Sequence, residues 1–173
     1  MSATIRRGSI VQPDAGRPIA GLGSWVKVPA EAFDGRLFIF EGTFFPGMFI
    51  PPHTHTREDE VTVILTGELT IDTGGRVSTE VAGAFVIKPR GEHHSMWNHT
   101  DRPARVLEIH TPGLLEPYYD ALGELFATTD LGDSEREAAI GRLHTAYGID
   151  YHPELISEVV TADGRRPQRS ARS

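Results

Sequence analysis

The sequence predicts an all-β barrel followed by two or three helices. Short runs rich in β-branched and aromatic residues recur at intervals of roughly 8 to 12 residues, separated by Gly, Pro, Asn and Asp turn signals, as a sandwich or barrel requires. Several runs alternate in polarity, as in Glu68-Leu-Thr-Ile-Asp72, the period of a half-buried strand. After Pro112 the apolar period changes from two to three or four, the mark of amphipathic helices. A chain of 173 residues suits one domain with its own core, since folding at this size hides about 70% of the unfolded surface.

Residues 1–20 carry little periodicity and read as an arm in which Ile10-Val11 is a candidate edge strand. The barrel is expected over residues 21–112. Ser24-Trp-Val-Lys-Val28 is a strand, Asp34-Gly35 a turn, and Arg36 to Phe45 a longer aromatic strand that Pro46-Gly47 ends. Only some twenty residues precede the first credible strand, too few for an appended three-helix DNA-binding unit. Strands carrying His53 and His55, then Val61 to Leu65, come next. Thr73-Gly74-Gly75 supplies the positive-φ residues of a tight hairpin into Arg76 to Val81. Gly83, Pro89 and Gly91 punctuate the following strands, and Arg105-Val-Leu-Glu-Ile-His110 closes the set.

In the helical segment, residues 113–160, Leu114, Leu115, Tyr118, Tyr119, Leu122, Leu125 and Phe126 describe one helix with Pro117 in its first turn. Ser134-x-x-Glu137 signals a capping box for a second, with Ile140, Leu143 and Tyr147 on one stripe and Gly148 as its stop. His152 to Val160 is a candidate third helix. Residues 161–173, with Arg165, Arg166, Arg169 and Arg172 among Gly, Pro and Ser, read as a disordered tail.

Composition excludes several classes. With no cysteine there are no disulfides and no thiolate metal sites, so histidine and carboxylate must hold any metal. A net charge of −7 argues against general nucleic-acid binding. No apolar stretch has membrane-spanning length, and Met-Ser-Ala-Thr-Ile-Arg-Arg lacks a signal-peptide core, so a soluble cytoplasmic protein with small-molecule partners is expected.

The chemistry gathers in two stretches. In Gly47-Met-Phe-Ile-Pro-Pro-His53-Thr-His55-Thr-Arg-Glu-Asp-Glu60-Val-Thr-Val-Ile-Leu-Thr-Gly67, two histidines one residue apart share a strand face and can grip one metal, with the Glu60 carboxylate opening the next strand. Burying two imidazoles and a carboxylate together without a cation would cost on the order of several kcal/mol, whereas a divalent ion satisfies all three. The second stretch is Gly83-Ala-Phe-Val-Ile-Lys-Pro89-Arg-Gly91-Glu-His-His94-Ser-Met-Trp-Asn98. Together they resemble the two motifs of the cupin superfamily, G-x5-H-x-H-x3-4-E-x6-G and G-x5-P-x-G-x2-H-x3-N, with every fixed position filled. The resemblance implies a cupin jelly-roll β-barrel, or double-stranded β-helix, with His53, His55, Glu60 and His94 holding one divalent transition metal, for which Ni, Fe, Mn, Co, Cu and Zn are all candidates. Asp59 is out of register, since Glu60 stands seven residues before Gly67. His93, His99 and His110 are read as packing or surface residues, and Arg57 and Glu58 as solvated charge.

Three histidines and a glutamate leave positions open on a six-coordinate ion for water, dioxygen or a chelating substrate. By strand parity Phe49, Pro51, Thr62, Ile64, Met96 and Asn98 should line the pocket, an apolar one suited to an aromatic or polyketide-like molecule provided no bulge intervenes. The run His53-Thr-His-Thr-Arg-Glu-Asp-Glu60 and the trailing Thr111-Pro-Gly113 resemble the quercetin 2,3-dioxygenase-like group. That resemblance implies a metal-dependent dioxygenase acting on a flavonol or related enol, with Glu60 as both ligand and catalytic base. Two alternatives share the site: a redox-neutral polyketide cyclase or isomerase, and a non-catalytic metal- or small-molecule-binding protein. A homodimer is expected on family grounds and from the surplus of apolar helix surface.

Overall fold

A computed structural model describes residues 5–128 and 130–157. Among them eleven strands form two antiparallel sheets: β1 (Arg17–Ile19), β2 (Ser24–Val28), β3 (Phe38–Phe44), β4 (Phe49–His55), β5 (Asp59–Thr66), β6 (Glu68–Thr73), β7 (Arg76–Val81), β8 (Phe85–Lys88), β9 (His94–Trp97), β10 (Ala104–Thr111) and β11 (Ile149–Tyr151). One sheet runs β1-β2-β3-β10-β5-β8 and the other β11-β4-β9-β6-β7. This is the jelly roll that the turn spacing implies. Helices α1 (Glu116–Ala127) and α2 (Asp133–Tyr147) follow.

Turn chemistry sets the corners. Gly74 and Gly75, at φ 57° and 83°, make the two-residue hairpin between β6 and β7. Within the first sheet the cross-strand register stacks the barrel interior in rows. Glu60 stands opposite Lys88 on one side and His110 on the other, and His110 faces Phe38. The next row is Val86, Thr62, Glu108 and Phe40; the next joins Ile64, Val106 and Gly42. Polarity falls along the axis. Phe44, Ile64, Leu69, Ile71, Val86, Met96, Ala104 and Val106 form the apolar end, with Met48 and Ile50 packed against them. The titratable groups occupy the other end.

That polar end is closed by α1. Tyr119 packs on Phe40 with ring centroids 4.4 Å apart, and its hydroxyl lies 3.3 Å from His110 Nε2. Leu115 and Tyr118 bury themselves against Ile149, Leu143 and Tyr147, which ties both helices to the barrel of the same chain. Of the apolar residues at α1 and its entry, Leu114 and Phe126 stay exposed, at 47% and 44%. Exposed apolar groups also lie on the outside of the first sheet, where Phe85 and Ile87 are 69% and 70% exposed.

Three local features differ from expectation: the N-terminal edge strand, the cap of α2 and the added strand β11. The N-terminal edge strand is Arg17–Ile19 rather than Ile10-Val11, and Arg17 anchors it through Asp120 (2.7 Å) and Glu116 (2.8 Å) on α1. The second helix starts at Asp133, so its cap is Gly132, whose N–H donates to Glu135 at 3.2 Å; Ser134 is already inside the first turn. Gly148 does end that helix, in the left-handed region at φ 72°. After it the chain forms β11 and then a 3-10 turn, Pro153–Leu155, and the next two residues, Ile156 and Ser157, are helical within the span of the candidate third helix. β11 pairs along β4, Ile149 opposite His55 and Tyr151 opposite His53, so the C-terminal segment supports the strand that carries both histidines. The rest of the expected third helix, residues 158–160, and the arginine-rich tail, residues 161–173, lie outside the described residues.

Candidate metal centre

Three strands bring the cluster together. β4 presents His53 and His55 on one face, β9 sets His94 directly opposite His53, and β5 delivers Glu60 from the other sheet. Ligand atoms of His53, His55 and His94 lie within 4.8 Å of one another. Glu60 Oε2 is 3.1 Å from His94 Nε2 and 3.4 Å from His55 Nε2, while the Nε2 atoms of His53 and His55 are 3.2 Å apart. His55 and His94 are buried and His53 is half-buried.

Backbone carbonyls orient two of the rings. Nδ1–H of His53 donates to Pro51 O at 2.8 Å, and Nδ1–H of His94 points to Glu92 O at 3.3 Å, an assignment that leaves each Nε2 with its lone pair toward the centre. His94 Nε2 and Glu60 Oε2 are both buried with no well-aligned hydrogen-bond partner. Two buried acceptors aimed at one point are costly unless a cation lies between them, so the donor set fits a divalent ion. Burial pushes His53 and His55 down to about 3 and His94 down to about 4, so all three are neutral and ready to donate at physiological pH.

A second layer supports Glu60. Burial disfavours its charge, but Lys88, with His110, outweighs that and holds the carboxyl well below the usual range. Lys88 Nζ donates to Glu60 Oε1 at 2.9 Å and lies 3.4 Å from Glu108 Oε2, which accepts the Thr62 hydroxyl at 2.6 Å. Burial pushes Glu108 up to about 8 despite Lys88. His110 Nε2 lies 3.7 Å from Glu60 Oε1, and burial pushes that ring down to about 4.

Strand parity places some pocket residues and misplaces others. Thr62, Ile64 and Met96 face the interior, Met96 with its sulfur 3.6 Å from Thr62 Oγ1. Phe49 does not: β4 carries an extra residue between Ile50 and His53 relative to β9, so Ile50 takes the inward position and Phe49 sits edge-on to Trp97, ring centroids 6.1 Å apart. Pro51 falls in that irregularity and contributes its carbonyl to His53. Asn98 is buried, but its amide clamps a turn, donating to Phe44 O and Arg102 O and accepting from Thr100.

The expectation of an apolar pocket also changes. Lys88, Glu108 and His110 point inward, and His110, expected as a packing or surface residue, packs among Phe38, Phe40 and Tyr119 beside Glu60. Glu58, read as solvated charge, is fully buried at the same end with both oxygens unpartnered, and burial raises it. Asp59 faces out and pairs with Arg90 at 2.6 Å, as its register implies. The available signal was the inward parity of Val86-x-Lys88 and Val106-x-Glu108-x-His110, strands adjacent to the one that carries Glu60.

An antiparallel jelly roll with three histidines and a glutamate converging at one end of its interior defines the class of protein. Residues 40–110 match the Cupin_2 family, described as a cupin domain, and this stretch runs from β3 to β10 through all four converging residues. That stretch of the chain is thus similar to a cupin domain. Germin-like protein 3-5 of Oryza sativa subsp. japonica is 43% identical over 63 residues, 32% of this chain and 28% of that protein. Germin-like protein subfamily 2 member 2 of Arabidopsis thaliana is 39% identical over 69 residues, 37% and 32% respectively. The chain thus spans less than a third of the length of these relatives. Among solved structures, one titled a predicted oxalate decarboxylase from Thermotoga maritima superposes with TM-score 0.51 at 21% identity, covering 63% of this chain and 99% of that one, a likeness of fold. No described helix is long and apolar enough to cross a membrane.

Proposed function

We propose that the chain is a metal-dependent dioxygenase acting on an enolic or flavonol-like small molecule that binds the metal through its own oxygens. The observation that carries the metal reading is the pair of buried, unpartnered acceptors, His94 Nε2 and Glu60 Oε2, set beside the His53 and His55 nitrogens. A divalent transition metal held by His53, His55, His94 and Glu60 would supply a Lewis acid with open positions and, if redox-active, a means of activating dioxygen. The two tasks given to Glu60 then fall on different oxygens. Oε2 faces the histidines; Oε1, bonded to Lys88, keeps a second lone pair with which to accept the proton of the substrate hydroxyl. The Lys88 ammonium stabilises a negative charge at this end of the barrel, which favours a substrate bound as its oxyanion.

The test is oxygen uptake by protein reconstituted anaerobically with iron, nickel, manganese or cobalt, on a panel of flavonols and catechols, with bound metal quantified. Uptake that needs both metal and substrate and vanishes in His94→Ala supports the proposal. Glu60→Gln should lose at least about a hundredfold in turnover at equal metal occupancy, the lower range for a general base. Turnover at the wild-type rate would remove the base role.

A redox-neutral cyclase or isomerase is the second reading, and the Thr62–Glu108–Lys88 chain favours it: a carboxyl held protonated toward neutral pH beside a fixed ammonium can move protons without oxygen. One metal per chain with product formed and no oxygen consumed decides for it.

A further inference from the structure

We propose that Lys88 is a positioning residue that confines Glu60 to one metal-facing oxygen and thereby keeps two coordination positions open for a substrate that chelates through two oxygens. The inference rests on the metal reading above. Its basis is the division of labour within one carboxylate: Oε1 is bonded to Lys88 Nζ at 2.9 Å, while Oε2, without a hydrogen-bond partner, faces His94 and His55. A carboxylate left free beside a divalent ion can turn both oxygens onto it. Three nitrogens and two oxygens would leave one position on a six-coordinate ion, whereas three nitrogens and one oxygen leave two.

Lys88 is built to prevent that turn. Its side chain is wholly enclosed, and cross-strand register places it directly opposite Glu60. Its ammonium is held from a second side by Glu108, which Thr62 fixes in turn at 2.6 Å. The Met96 sulfur, 3.8 Å from Nζ, lies beside the same group. An enclosed ammonium with two anchored carboxylates has nowhere else to go. A lysine at this position is also an unusual neighbour for a cation site, because it repels the ion it serves, and that repulsion provides the test.

Cobalt(II) is the probe, titrated into wild-type protein and Lys88→Met, with affinity and the visible d–d spectrum both recorded. Removing Lys88 takes away a repulsive charge and frees a second oxygen, so Lys88→Met should bind cobalt about tenfold or more tightly and change the d–d bands. A merely structural role predicts the reverse, a loss of about ten- to a hundredfold with an unchanged spectrum, and that result overturns the proposal. If Lys88→Met does not fold, the manganese-loaded wild-type crystal structure decides: Oε1 on Lys88 and Oε2 on the metal supports the assignment, and both oxygens on the metal refutes it. Wild-type protein that takes up no cobalt at His53, His55 and His94 refutes the metal reading itself, a result distinct from metal bound by a two-oxygen Glu60.

Discussion

Asn98→Ala should destabilise the fold while leaving the metal cluster's own atoms in place. Asn98 is 1% exposed and makes four hydrogen bonds: Nδ2 donates to Phe44 O (2.8 Å) and Arg102 O (2.7 Å), and Oδ1 accepts from Thr100 N (2.9 Å) and Thr100 Oγ1 (2.7 Å). The losses are unequal. Arg102 is exposed and Thr100 partly so, and water can replace their partner, leaving about 0.5 kcal/mol apiece. Phe44 is buried, and its carbonyl would be stranded at about 1–3 kcal/mol. The sum is about 3 kcal/mol, or a fall in Tm of about 6–12 °C for a chain of this size. Urea denaturation followed by far-UV dichroism measures it, with the slope m checked for constancy between variants. Asn98→Asp tests the same point isosterically, because it sets a carboxylate oxygen against two carbonyls and should cost at least as much. A loss under 1 kcal/mol in both variants would refute the clamp.

Two further outcomes follow from the geometry. His53, His55, His94 and His110 have folded values of about 3 to 4 against about 6.5 unfolded, so the unfolded chain binds more protons between those limits. Their contribution to the stability of the metal-free protein is complete above about pH 6.5 and is lost as pH falls toward 4, whereas protons begin to compete with metal only near pH 4; cobalt affinity should hold nearly level from pH 7.5 to 5, and a tenfold loss by pH 6 would contradict the depressed values. Gly123→Ala should destabilise although alanine is the better helix former, because a Cβ there would meet Ala20 O at 2.2 Å and Ile19 Cγ2 at 3.0 Å; thermal melting at equal or higher Tm would show that the α1 contact with the N-terminal segment yields freely.

Much of the candidate site was legible in order along the chain. His53 and His55 share a face because strand side chains alternate with period two, and Gly74-Gly75 make a hairpin because only positive φ turns the strands so tightly. Glu60 is legible as the carboxylate that opens the next strand, His94 follows from the resemblance to the cupin motifs, and the barrel brings both to the pair. These are readings of local backbone geometry and of fixed spacings, which a linear sequence states directly.

What surrounds the cluster was decided by pairing between distant strands. Nothing near Glu60 in the chain announces that Lys88 and His110 flank it; the antiparallel register of β5 with β8 and β10 sets them there, and α1 then seals His110 beneath Tyr119. One inserted residue in β4 exchanged Phe49 for Ile50 on the inner face, since a slip of one reverses every side chain. β11 joined β4 because α2 ends at Gly148 and returns the chain to that free edge. The sequence by itself determined the jelly roll and pointed to the converging histidines and glutamate, because both depend on near-neighbour spacing and motif. The tertiary structure alone decided that a buried lysine, not apolar surface, stands against Glu60, because cross-strand register is fixed only when the whole barrel closes.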